Sequence, residues 1–463
     1  PSPSAAHLMA ASLSLAETLA PLYQAIDDGV PYDYDNVPRL KRIVNFGTNV
    51  EHPIHGWYYF KEGYAPGVIH WAFQRFLFPH WPAHVTHRGA RALGRPAAAH
   101  GPLVLDPFSG SGTTALTCQM AGVDALGIEY NPFFAFLGRA KLAWPHYDPD
   151  TIACHLPDLL ADGGRPGIDA PGLSSFRRLF APEALADLLL MKERIGRLDD
   201  PLTRQFFQLG LAAVVERVSI ARKDGKGLKV LRRPVTPAPV REALAYQWGR
   251  MLHDLRTMDP TLRTKAALAQ VSIEQGDARR LAGVEDASVD LAVYSPPYLN
   301  SFDYAEVYKL EMWLLDFVQN HGEFRRLRGA SLRSHVSAPI EAAGLVDYAP
   351  LAALVDIIDG RPLWNARIPA MIRAYFDDMY LVLSEQARTL RRGACAVCVV
   401  ANSAYGGVPI PTDVLLARIG EQVGLRIEGI YIARPMNTSS QQLARWGGDR
   451  IYLRESAVVL RKE

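Results

Sequence analysis

Two short stretches of this chain hold residue types that could do chemistry together. The first is Ser295-Pro296-Pro297-Tyr298, at the end of the apolar run Val289-Asp290-Leu291-Ala292-Val293-Tyr294. Two consecutive prolines fix φ and lack N–H groups, so the turn is stiff and its carbonyls point outward. A serine, free carbonyls and a flat aromatic at the mouth of a sheet can hold a planar, amine-bearing ring and accept hydrogen bonds from the amine. Taken alone, the same residues also read as a Pro-Pro loop with a surface tyrosine.

The second stretch is Asp106-Pro107-Phe108-Ser109-Gly110-Ser111-Gly112-Thr113-Thr114, which follows the strand-like Leu103-Val104-Leu105 and opens a helix through Ala121. Glycines at a strand-to-helix turn let the backbone approach a ligand closely, with helix N–H groups facing it. A second strand, Ala125-Leu126-Gly127-Ile128, closes on Glu129. An acid there, roughly 20 residues beyond the glycines, is placed to hold ribose hydroxyls. A nicotinamide-binding fold is the usual rival for this pattern. The third glycine of the dinucleotide fingerprint is missing, however, and Asp106-Pro107-Phe108 leads in. A single nucleoside-bearing cofactor without a pyrophosphate fits better.

The glycine stretch resembles the cofactor motif of the S-adenosylmethionine-dependent DNA amino-methyltransferases, and Ser295-Pro296-Pro297-Tyr298 resembles their catalytic motif. The likeness runs on through Leu299 to Tyr304, to Val400-Ala401-Asn402-Ser403, and to Arg454-Glu455-Ser456 near the end of the chain. The resemblance implies that Asp106, Phe108, Gly110 and Gly112, with Pro107 and Thr113 beside them, shape the pocket for the methionine end of the cofactor. Glu129, followed by Asn131, would bind the ribose. Asp277, with Ala278, would contact the adenine amine. The segment Phe60-Lys61-Glu62-Gly63-Tyr64-Ala65-Pro66 resembles, more loosely, the motif that closes over the methionine moiety, and Tyr59 and Lys61 are its expected cofactor contacts.

The exocyclic amine of cytosine or adenine is a poor nucleophile, because its lone pair is delocalised into the ring. Hydrogen bonds from the amine to Ser295 and to the Pro296 carbonyl would favour a tetrahedral nitrogen with a free lone pair. Tyr298 would stack on a target base that has left the duplex. No Pro-Cys pair occurs in the chain, which argues against methylation at the 5-carbon of cytosine. Serine at the first motif position leans toward cytosine N4; adenine N6 enzymes of this group more often carry Asp or Asn. The adenine amine, an RNA base, a protein amide and a non-catalytic nucleic-acid-binding module stay open as alternatives.

The elements that must position these residues follow from patterning. The resemblance and the order of elements predict an α/β, Rossmann-like, seven-stranded, mostly parallel methyltransferase sheet. Residues 1–143 would hold an N-terminal helix over Pro1 to Tyr23, a polar, turn-rich stretch over Asp27 to Asn45, the cofactor-closing segment and the first half of the sheet. A mainly helical insertion, 144–265, is a candidate target-recognition region. Residues 266–463 would complete the sheet, with strands at Ala266 to Gln275, Ala394 to Val400, Arg426 to Ile432 and Ser456 to Arg461. Helices are expected over Pro182 to Met191, Gln205 to Arg217, Arg367 to Leu390 and Thr412 to Val423, the last capped by Thr412.

Two basic segments complicate an otherwise ordinary balance. The net charge of +2, with 49% hydrophobic and 21% charged residues, marks a globular chain and leaves any nucleic-acid role to local patches. Arg222, Lys223, Lys226, Lys229, Arg232 and Arg233 sit in a glycine-interleaved hairpin or turn. Arg325, Arg326, Arg328 and Arg333 lie in a second insertion, 319–364, expected to hang over the active-site mouth. Such runs read either as solvated faces or as backbone clamps on a phosphate polymer. Double-stranded DNA is the partner implied, and a cognate restriction endonuclease is a second; oligomeric state is not legible. Four cysteines in 463 residues suit a reducing cytoplasm, and no apolar stretch reaches the roughly 20 residues needed to span a membrane. Cys395 and Cys398 in an apolar strand read as core, and His52 and His55 as structural, so no metal is expected.

Overall fold

The computed structural model describes residues 15–78, 101–170, 174–224, 227–230, 236–436 and 452–463. Among these, twelve strands occur: β1 (Tyr32–Asp33), β2 (Leu103–Asp106), β3 (Asp124–Glu129), β4 (Ala221–Asp224), β5 (Gly227–Val230), β6 (Val271–Gln275), β7 (Val289–Tyr294), β8 (Leu390–Ala401), β9 (Ser403–Tyr405), β10 (Val408–Ile410), β11 (Leu425–Pro435) and β12 (Arg454–Lys462). Eight build the main sheet in the order β1-β11-β12-β8-β7-β2-β3-β6. Seven were expected; the eighth is the two-residue β1, which pairs through Tyr32 and Asp33 with Ile430 and Tyr431. Only β12 runs antiparallel to its neighbours, β11 and β8.

The strands read as continuous apolar runs because both sheet faces are covered. Val104, Leu291, Val293, Cys395, Val397 and Val399 face one layer, with the helix Pro66–Ala72. Leu105, Ala292, Tyr294, Ala396, Cys398 and Val400 face the other, under the helix Ile368–Thr389. Cys395 and Cys398 therefore lie on opposite faces, both buried, and cannot share a ligand. The strand order reverses between β2 and β7, so their carboxyl ends flank a crevice, where α/β sheets bind ligands.

Several boundaries differ from the sequence reading. The third strand begins at Val271, because Pro260–Leu268 is helical: Asp259 caps it by accepting from Thr261 N, and Pro260 takes the first turn. The stretch 27–45 contains the helix Val37–Ile43 as well as β1. Thr412 is not a cap; Pro411 holds that position, and Thr412 Oγ1 donates to the Ile410 carbonyl at 3.3 Å. The first described helix is Leu15–Asp27, and the part of the expected N-terminal helix before Leu15 lies outside the described residues. In the region 144–265 the helices Pro149–Leu160, Pro182–Gly196, Pro201–Val214 and Val240–Thr257 share one apolar cluster with Phe133, Leu137 and Leu310. No helix among the described residues is long and apolar enough to cross a membrane.

Gly112 makes the strand-to-helix turn possible. Its φ of +80° lies in the left-handed region, and a Cβ there would sit 3.0 Å from the Cα of Gly138 on the next helix. Backbone on both sides leaves nothing to move aside. Gly112→Ala should therefore cost about 1–3 kcal/mol, read as a lower urea midpoint at unchanged m-value.

Candidate active site

The carboxyl ends of β2, β3, β6 and β7 open on one cleft of about 930 Å3. At β2, Asp106 Oδ1 accepts from Phe108 N at 3.0 Å and Oδ2 from Tyr64 OH at 3.2 Å. Tyr64 OH also meets Thr114 Oγ1 at 2.6 Å. This locks the turn, and burial pushes the Asp106 carboxyl up to about 6. At β3, Glu129 Oε2 accepts from Gly110 N at 2.7 Å and Oε1 from Asn131 N at 2.8 Å. Burial outweighs these bonds and pushes Glu129 up to about 7. Gly110 has φ +51°, and a Cβ on it would lie 3.1 Å from Phe60 Cε1.

Glu129, Asn131, Pro107, Phe108, Gly110, Asp277 and Ala278 all line this cleft. Asp106, Gly112 and Thr113 do not; they lie buried beneath it and shape the turn. The closing segment differs from expectation by one residue. Tyr59 and Lys61 point to solvent, while Phe60 and Glu62 line the cleft; the chain turns here, with Gly63 N donating to the Phe60 carbonyl at 3.2 Å. Phe60 packs edge-on against Phe134 at 4.9 Å between centroids, and the Glu62 carboxylate accepts from Tyr308 OH.

At β7, Ser295 and Pro297 line the same cleft. Ser295 Oγ donates to Tyr298 OH at 3.3 Å, which donates to Glu455 Oε1 at 2.8 Å. Arg434 Nε holds the other Glu455 oxygen at 2.6 Å. With its proton engaged by Tyr298, Ser295 keeps its lone pairs for an incoming donor. Pro296 is buried, and the Tyr298 ring packs against the apolar layer under the sheet instead of lining the cleft. Glu455, at the start of β12, was quoted only as part of the resemblance; its role depends on a partner 157 residues away. Tyr304 and a roof including Leu327, Ser331 and His335 also went unassigned.

The basic candidates divide sharply. Lys226, Arg232 and Arg233 lie outside the described residues. β4 and β5 form the expected antiparallel hairpin, yet Lys223 turns inward. Its Nζ meets Glu311 Oε1 at 2.5 Å and Tyr58 OH at 3.1 Å, and stands 4.0 Å from the Tyr308 ring centroid. Arg222 donates to the carbonyls of Glu216, Ser219 and Ala221. Arg328 pairs with Asp303 at 2.5 Å, and Arg333 with Asp378 at 2.8 Å. These four side chains have partners within the protein. Arg325, Arg326 and Lys229 are exposed.

Residues 91–137 match a family model described as DNA methylase. The Type II methyltransferase M.BsoBI of Geobacillus stearothermophilus is 24% identical over 475 residues, covering 91% of this chain and 88% of its own. M.AvaI of Nostoc sp. is 25% identical over 467 residues, covering 91% and 89%. M.MvaI of Kocuria varians is 19% identical over 341 residues, covering 68% and 73%. These matches support a DNA methyltransferase. Methyltransferases of this family use S-adenosyl-L-methionine. The lining of the cleft fits that group: Glu129 offers acceptors for hydroxyls, and Phe60 and Phe108 offer apolar walls.

A ribose hydroxyl would donate to the Glu129 carboxylate, so the ionised acid is the form expected to bind it. With midpoints near 7 and 6 for Glu129 and Asp106, cofactor affinity should rise with pH and level off above the Glu129 midpoint. Calorimetric titration with S-adenosylhomocysteine across this range checks it. Glu129→Gln should weaken binding about tenfold or more and remove the upper step, since a hydrogen bond to a charged group contributes roughly 1.5–3 kcal/mol.

Proposed function

We propose that this protein methylates the exocyclic N4 amine of cytosine in double-stranded DNA, with the target base turned out of the duplex. The observation that carries the reading is the single cleft lined by Ser295 and Pro297 at one strand end and by Gly110 and Glu129 at the next two. When bound, S-adenosylmethionine supplies an electrophilic methyl group on a sulfonium. Ser295 Oγ accepts from the cytosine amine, and the Pro296 carbonyl accepts its second hydrogen. The amine lone pair is thereby withdrawn from the ring and aimed at the methyl. Tyr298, fixed by Glu455, sets the Ser295 hydroxyl. Serine at position 295, where adenine N6 enzymes of the resembled group more often carry Asp or Asn, is the feature favouring cytosine. The Type II naming of the relatives supports a place beside a cognate endonuclease.

Mass spectrometry of nucleosides after incubation with DNA and labelled cofactor tests the reaction. N4-methylcytosine is expected; N6-methyladenine would replace the base assignment, and label absent from DNA would overturn the reading. Ser295→Ala should lower kcat by about 10²–10³-fold while cofactor affinity stays within about twofold.

The exposed Arg325 and Arg326, on the helix His321–Ala330 beside the cleft, are proposed to meet the DNA backbone. Replacing each by Ala should reduce the salt slope of DNA binding by about 1. Lys223→Met should leave that slope unchanged and instead destabilise the fold by about 3 kcal/mol, because the Glu311 carboxylate, 1% exposed, loses its cation.

A further inference from the structure

The cleft has a floor and a roof that come from distant parts of the chain, and one side chain spans them. Arg279 lies two residues beyond Asp277. Its backbone N and its Nε donate to Asp277 Oδ1 at 2.9 and 3.0 Å. Nε and Nη2 reach Asp277 Oδ2 at 3.1 and 2.7 Å. The rest of the guanidinium points elsewhere. Nη1 donates to Asp378 Oδ1 at 3.1 Å, and Nη2 to the Ala330 carbonyl at 2.7 Å, at the end of the helix His321–Ala330.

Asp378 belongs to the helix Ile368–Thr389 and is 1% exposed. It also accepts from Arg333 N and from Arg333 Nη2, both at 2.8 Å. Its neighbour Asp377, equally buried, accepts from the backbone N–H groups of Ala343, Gly344 and Leu345 at 2.6, 2.9 and 2.8 Å. The segment 331–345 thus hangs from two consecutive aspartates, and Ser331, Leu332, Ser334 and His335 within it line the cleft. Asp277, Arg279, Asp378 and Arg333 form one continuous chain of ion pairs from the cleft floor to the segment above it.

We propose that Arg279 is a positioning residue that couples the adenine end of the cofactor cleft to the roof over the target base. The proposal rests on reading this cleft as the S-adenosylmethionine site, with Asp277 at the adenine amine. Both Asp277 oxygens already accept from Arg279. An amine donating to either oxygen weakens that hold and shifts the guanidinium toward Asp378 and the Ala330 carbonyl. Those two acceptors sit at the root of segment 331–345, so cofactor binding fastens the roof. By linkage, a base bound under the roof tightens the cofactor by the same factor. Lysine cannot replace this fork, since an ammonium is a point donor that does not bridge two carboxylates and a carbonyl.

Hydrogen exchange of the 331–345 segment in the full chain, with and without saturating S-adenosylhomocysteine and with no DNA present, tests it. In the wild type the analogue should slow exchange at the amides of Arg333, Ala343, Gly344 and Leu345 by about fivefold or more, a typical coupling factor. Arg279→Met should still bind the analogue but lose the slowing. Arg279→Lys, which keeps the charge if the Met variant does not fold, should retain less than half of it. An Arg279 that only supported the fold would lower thermal stability in either variant yet leave the response to the analogue intact, and that result would overturn the proposal. So would an unchanged roof in the wild type with analogue bound. Absence of any S-adenosylhomocysteine binding to the wild type is a different result, and it would overturn the cofactor reading as well.

Discussion

The parallel pairing of β2 with β7 is the constraint on which the cleft depends. Val104 stands opposite Leu291 and Leu105 opposite Ala292. A slip of one residue would exchange the side chains facing the two apolar layers, so burial on both faces fixes the register. Continuing it by one residue sets Asp106 opposite Val293, and Tyr64 OH bonds both the Asp106 carboxylate and the Val293 carbonyl. Past that point the strands leave the sheet by opposite means. β2 turns through glycines with positive φ, and the N–H groups of Phe108, Ser109, Gly110 and Gly112 are taken up within the turn and by Ile128 and Glu129. β7 turns through prolines, which have no N–H and leave carbonyls. The two turns flank a switch point in the sheet.

The acids around that switch point fall into two groups with different physics. Asp106, Glu129 and Glu62 are held by backbone N–H groups or phenols, and burial raises all three. Asp277 and Asp378 are instead matched by Arg279 and Arg333. A cofactor carrying a sulfonium and an ammonium gains most beside the first group, where its positive charge favours ionised carboxylates. Its adenine, neutral and bearing an amine donor, suits the second, where charge is already balanced and hydrogen bonds decide placement.

The parts legible in sequence were those whose cause is local. A strand, a glycine turn, a helix and an acid between Leu103 and Glu129 announce themselves, and Ser295-Pro296-Pro297-Tyr298 carries its own stiffness. The cofactor-closing segment failed by a single step: an irregular stretch holds too few residues to show which parity faces inward, so Tyr59 and Lys61 were read where Phe60 and Glu62 line the cleft. The stretch before Val271 was taken as strand because an Ala- and Leu-bearing run suits either element, although Asp259-Pro260 marks a helix start. Glu455 and the roof at 327–335 were beyond reach, because their roles exist only once distant segments meet.

Charge was the least legible property, for a related reason. A run of basic residues in sequence counts cations but not their partners, and this chain has nearly as many acids, 48 against 50 Lys and Arg. Where a basic side chain lies against a buried carboxylate, withdrawing it would leave that carboxylate buried without a counter-charge, at a cost of several kcal/mol. Lys223, Arg328 and Arg333 are drawn inward on that ground. On the helix His321–Ala330 the division follows the helical period. Phe324 is buried and Leu327 and Ala330 line the cleft, which leaves Arg325 and Arg326 exposed on the outer face. On the proposed reading, a polyanion approaching the cleft mouth would meet those two guanidiniums while the inward ones hold the mouth in shape. Burial thus separates arginines of the same ten-residue element into exposed and inward-paired.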